Sequence, residues 1–213
     1  MRVRPISPPA LVAELADRIA ATPGGRWLRV AIDGAPPAQP DELADALVPA
    51  LRLRSRPALH VAAGSFLRPA SVRLEHGRTD PDAFYEDWLD AGGLTREVLA
   101  PLGPDGTGRV LPSLWDPVTD RATRAGYVSL PPDGVLLLSG GLLLGTGLPL
   151  DLVVHLDLTP AALDRRTEPA QRWTLPAYRR YAGEVMPTLV ADVVVRVDDP
   201  GRPAVVEDMS DQT

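Results

Sequence analysis

Five short apolar runs, spaced along the chain, constrain the fold more than any other feature. They are Leu28–Asp33, Ala58–Ala63, Val135–Ser139, Leu152–Leu156 and Val193–Val197. Each has the length of a strand, and near-continuous apolar character is what a parallel strand covered on both faces requires. Helical patterns alternate with them. Ser7–Ala21 repeats Leu11, Leu15 and Ile19 at four-residue spacing, with Ser7 placed to cap it and Pro8 and Pro9 in its first turn. Asp41–Leu53 carries Leu43, Leu47 and Leu51 on one face. Pro81–Asp90, Leu94–Leu102, Ala161–Arg166 and Pro176–Glu184 read as further helices, and Gly108–Trp115 and Gly126–Leu130 as extended segments around a turn. Strands alternating with helices predict an α/β domain with a parallel sheet between two helical layers.

At 213 residues the chain suits one such domain. The expected division is an N-terminal helix packed on the domain (1–25), the domain itself (26–200) and a polar C-terminal tail (201–213). The net charge of −6 argues against nucleic acid or an anionic membrane as partner. The longest uncharged run, Gly134–Leu150, is short for a membrane span and is broken by Gly and Pro. The N-terminus lacks the apolar core of a signal peptide. There is no Cys, which excludes disulfides, thiolate catalysis and Cys-ligated zinc and fits the reducing cytoplasm. All 22 basic residues are Arg, so no amine can reach a phosphate or form a Schiff base. His60, His76 and His155 have no metal-ligand spacing, and no metal site is expected. A Ser-His-Asp hydrolase lacks its G-x-S-x-G context.

The segment VAIDGAPPAQPDELADAL, Val30–Leu47, begins like a phosphate-binding loop. A working loop reads G-x-x-x-x-G-K-[ST]: backbone N–H groups cradle the phosphates, Lys neutralises them and the hydroxyl helps hold Mg²⁺. Counted from Gly34, those last three positions are Gln39, Pro40 and Asp41. Pro36, Pro37 and Pro40 supply no N–H. Asp41 and Glu42 put carboxylates at the helix start, where they complement the helix dipole and repel a triphosphate.

The order of further segments resembles the uridine kinase and phosphoribulokinase branch of the P-loop kinases, from about Arg29 to Asp199. VAIDG (Val30–Gly34) is similar to the first strand and loop entry, and GSFLRPASVRLEHGRTDPDAFYEDWLD (Gly64–Asp90) to the acceptor-side segment. LWDPVTDR (Leu114–Arg121), VLLLSGG (Val135–Gly141), RRTEPAQRW (Arg165–Trp173) and ADVVVRVDDP (Ala191–Pro200) follow in the family's order.

The resemblance implies a three-layer P-loop NTPase-like α/β fold with a mainly parallel five-stranded sheet. It implies a nucleotide side at Asp33, Gly34, Asp41, Arg166 and Arg172, and a substrate side at Phe66, Arg68, Arg78, Tyr85, Asp90, Trp115 and Asp116. Asp90 aligns with an acid that contacts ribose and Trp115 with an aromatic that packs on the base. Asp90 serves equally as a cap beside Gly92 and Gly93, Trp115 equally as core packing, and the arginines equally as ion-pair partners of neighbouring acids. Gly64 and Ser139 stand where the family has acids. The leading expectation is a nucleoside- or nucleotide-binding pseudokinase with a degenerate Walker A loop and no catalytic residue assigned. The alternatives are an active uridine-like nucleoside phosphotransferase with atypical phosphate binding, the only case that calls for ATP and Mg²⁺, and a non-catalytic interaction module.

Overall fold

The computed structural model describes residues 2–23 and 25–207. Its main sheet has seven strands: β1 (Arg2–Pro5), β2 (Leu28–Asp33), β3 (Ala58–Ala62), β4 (Val135–Gly140), β5 (Leu152–Asp157), β6 (Val193–Arg196) and β7 (Ala204–Glu207). Their order across the sheet is β3-β4-β2-β5-β6-β7-β1. The first five run parallel. They are the five apolar runs of the sequence, with ends moved by no more than one residue.

Alternation along each strand sorts the core into two layers. Val30 and Ile32 of β2, with Leu137 of β4 and Val154 of β5, pack against Leu11, Leu15 and Ile19 of helix α1 (Pro8–Ala21) and Ala44, Leu47 and Leu51 of helix α2 (Pro40–Arg52). Ala31, Leu136 and Leu138 point the other way, onto Phe66, Leu94, Val98 and Leu99. Burying each large side chain contributes about 1.5–3 kcal/mol. Three further helices frame the strand ends: α3 (Pro81–Glu86), α4 (Pro160–Arg166) and α5 (Leu175–Glu184).

Two differences from the sequence expectation stand out. The sheet gains β7 and β1, both antiparallel additions at one edge, so it has seven strands rather than five. Residues 204–207, read as polar tail, are β7; residues 208–213 lie outside the described residues. The reason is pairing rather than propensity. RVRP carries two Arg and a Pro, and becomes a strand because AVVE offers a free edge with Arg2 opposite Glu207 and Pro5 opposite Ala204. The second difference is that the Pro81–Asp90 helix stops at Glu86, and a separate turn begins at Ala91. Among the described residues no helix is long and apolar enough to cross a membrane.

Candidate functional site

The loop after β2 is built from prolines and has little left to offer an anion. Pro36–Ala38 forms a 3₁₀ turn, Gln39 sits in the left-handed region at φ 63°, and Pro40 opens α2. The Gly34, Ala38, Gln39 and Leu43 N–H groups donate to the carbonyls of Gly140, Ala35, Pro36 and Gln39. Pro36, Pro37 and Pro40 have none. From 34 to 43, only Ala35, Asp41 and Glu42 keep an N–H without a backbone acceptor. Arg166, expected at the nucleotide, instead donates to the Pro37 carbonyl and, at 2.5 Å, to that of Val197. It ties α4 to the loop through the Pro37 carbonyl and to the end of β6 through that of Val197.

Behind the loop lies a four-residue network on the α2 face of the sheet. The Ser139 hydroxyl, at the end of β4, donates to Asp41 Oδ1. His60 Nε2 lies 2.7 Å from Ser139 Oγ, and His60 Nδ1 2.7 Å from Asp45 Oδ1. A P-loop enzyme holds Mg²⁺ between a hydroxyl on the loop and a carboxylate on a strand. Here the two side chains have changed places: the carboxylate is on the loop helix and the hydroxyl on the strand. Ser139, His60 and Asp45 also have the connectivity of a hydrolytic triad, which the sequence alone did not reveal. Ser139 is 0% exposed, however, and its proton points to Asp41, so no substrate carbon reaches its oxygen. Among the described residues no group of three His, Asp or Glu is arranged to hold a metal.

The opposite face of the sheet carries a second network. Asp33, 0% exposed, accepts from the Leu143 N–H (3.0 Å) and the Tyr181 hydroxyl (3.0 Å), and lies 2.7 Å from His155 Nδ1. Its two oxygens are thereby taken up inside the core, so Asp33 does not face the loop's outer side. Burial, with the Asp33 charge beside them, pushes the phenols of Tyr181 and Tyr178 above their ordinary range.

Between the loop and α3 opens a cavity of about 550 Å³. Gly34, Pro36, Asp41 and Glu42 form its loop end; Leu67, Arg68, Phe84, Tyr85, Trp88 and Tyr178 line the rest. The aromatic wall is packed edge to face: Phe84 lies 5.1 Å from Trp88 and 5.9 Å from Tyr178, ring centre to ring centre. Arg73 braces Trp88 from behind with its guanidinium 5.0 Å from the ring, while its Nε–H donates to the Arg68 carbonyl. Gly140 closes the floor at φ 152°; a Cβ there would come 2.9 Å from that of Ala63.

The cavity gathers Gly34, Asp41, Arg68 and Tyr85 from the residues singled out in the sequence. Arg68 pairs with Asp87 at 3.4 Å, and the Tyr85 ring carries the Arg180 guanidinium 4.5 Å from its centre. The others lie elsewhere. Phe66 is 0% exposed in the core. Asp90 caps the turn that follows it, accepting from the Gly93 N–H at 2.7 Å. Trp115 and Asp116 sit in a two-stranded ribbon: the Trp115 indole donates to Asp120, and Asp116 accepts from Val118 and Thr119. Arg78 and Arg172 are exposed and line none of the cavity wall. Sequence reasoning missed Phe84, Trp88 and Tyr178. Phe84 and Trp88 are four residues apart in a helical pattern, a spacing that puts two aromatics on one face.

Mg²⁺-ATP, the group this kind of fold implies, does not fit these residues. Pro36, Pro37 and Pro40 have no N–H, the Gly34, Ala38 and Gln39 amides are taken up, the Lys is missing, and Ser139 is sealed beneath Asp41.

Comparison with solved structures gives the fold. A protein from Bacillus stearothermophilus, provisionally assigned as a uridine kinase, superposes with a TM-score of 0.71 at 21% identity, over 87% of this chain and 97% of that one. A protein from Silicibacter sp. TM1040, provisionally assigned as a fructose transport system kinase, gives 0.56 at 24% identity, over 83% and 89%. The YGR205w protein gives 0.56 at 10% identity, over 93% and 97%. No family model and no curated protein matches the chain. The α/β fold, with its mostly parallel central sheet, is that of these structures.

Proposed function

We propose that this chain is a uridine kinase-like pseudokinase. It holds a nucleoside or nucleotide in the cavity beside α3 and does not carry out ordinary ATP-dependent phosphoryl transfer. One observation carries the reading: the loop that should cradle phosphates has prolines at 36, 37 and 40, turns the amides of Gly34, Ala38 and Gln39 onto backbone carbonyls, and presents Asp41 and Glu42 at its helical end. Phosphoryl transfer is mostly positioning and charge neutralisation, and this loop supplies neither. The aromatic wall, with Arg68 and Tyr85, supports a ring-bearing ligand, since cavities of this size and apolar character suit small molecules.

Thermal melting with uridine, cytidine, UMP, ADP and ATP-Mg²⁺, each added alone, tests it. A rise with a nucleoside or UMP and none with ATP-Mg²⁺, together with no phosphate transfer to uridine, is the expected result. Transfer of phosphate to uridine would establish the active phosphotransferase instead. No shift with any ligand would favour an interaction module.

A further inference from the structure

We infer that the exchange of Asp41 and Ser139 converts the phosphate end of the cavity into a site for hydrogen-bond donors, so that the cavity selects an uncharged, hydroxyl-bearing ligand over its phosphorylated form. The inference rests on the reading of the cavity as a nucleoside site. The charges that face the cavity are Asp41, Glu42 and Glu86 against Arg68 alone. Arg68 is already beside Asp87, and Glu86 beside Arg180 at 2.7 Å. Arg166 and Arg73, the nearby guanidiniums that a phosphate would need, are turned onto the carbonyls of Pro37, Val197 and Arg68.

Asp41 is exposed and is held from behind. Ser139 donates to its Oδ1, His60 supports Ser139, and Asp45 supports His60. Glu42 is positioned through its Oε1, which accepts from the Gln39 side-chain amide at 2.8 Å. Each carboxylate therefore keeps a second oxygen without a side-chain partner, at the cavity's loop end. A ligand hydroxyl donates to such an oxygen in a charge-assisted bond. A phosphate at the same place meets two like charges and finds no unpaired cation.

Titration calorimetry with uridine, UMP and tripolyphosphate tests this on the full chain and on Asp41→Asn, Glu42→Gln and the double variant. Uridine is expected to bind, UMP about 100-fold more weakly, and tripolyphosphate not at all. The double variant is expected to narrow the uridine/UMP ratio to below about 10-fold. Circular dichroism confirms folding; if changing Asp41 unfolds the chain, Glu42→Gln alone must still narrow the ratio. UMP binding as tightly as uridine, or a ratio unmoved by removing the carboxylates, overturns the inference and leaves the nucleoside reading standing. Failure of both uridine and UMP to bind overturns that reading, and the inference with it.

Discussion

Two His–Asp pairs flank the same loop, one on each face of the sheet, and their geometry is nearly the same. His155 and Asp33 are 2.7 Å apart; so are His60 and Asp45. Their surroundings differ. Asp33 is 0% exposed, directly opposite His155 in the strand register, and receives a backbone N–H and a phenol besides. The Asp45 side chain is 73% exposed on the outside of α2. The difference teaches that a distance says little about energy until burial is known. The first pair fastens β2, β5 and α5 together. The second props up two side chains, Ser139 and Asp41, that end at the cavity.

The largest expected effect comes from breaking the buried pair. Asp33→Ala leaves His155 and the Leu143 N–H without a partner in the core and should cost about 3–5 kcal/mol, read as a lower urea midpoint at unchanged slope. A loss below about 1 kcal/mol would mean that the two pairs are energetically alike. Next comes the exchanged pair. Ser139→Ala or Asp41→Ala should each cost about 1–3 kcal/mol. The reciprocal variant, Asp41→Ser with Ser139→Asp, should recover most of that, because the two positions act as a unit. Recovery no better than the sum of the single losses would show that they do not.

The third test is alkaline. Tyr181 and Tyr178 have folded-state values raised above 10.0, so the folded chain keeps phenol protons that the unfolded chain gives up. Their stabilisation is complete below about pH 10 and fades as pH rises beyond it, by up to about 1.4 kcal/mol per pH unit for each phenol. Denaturant melts between pH 9 and 11, compared with Tyr181→Phe, measure it; the variant should show a shallower loss. The smallest effect is expected at Asp45. Asp45→Asn should change stability by less than about 1 kcal/mol, since one partner is in water and screened.

The five parallel strands were legible because a strand buried on both faces must be apolar throughout, as VLLLSG and LVVHLD nearly are. Two caps were legible too: Ser7 accepts from the Ala10 N–H, and Asp90 from that of Gly93. What escaped depends on register. His60 lies opposite Leu137, two places from Ser139, so the two side chains meet diagonally across β3 and β4. Nothing in the order of residues announces that. Asp33, at the end of its strand, was expected on the nucleotide side, yet strand alternation turns it inward. Trp115 drew attention as the aromatic before an Asp, while the wall is made by Phe84 of α3 and Trp88 just past that helix's end. The donor poverty of the loop was half visible. The prolines are written in the sequence; the bonds of the Ala38 and Gln39 amides within the loop, and of the Gly34 amide to the Gly140 carbonyl, are not.

The edge strands have a consequence for how the molecule is made. Arg4 meets Glu207 across a separation of 203 residues. A ribosome therefore releases the first strand long before its neighbour exists. The parallel centre can assemble while synthesis continues, but β1 must wait, its edge unsatisfied, until the last part of the domain has emerged.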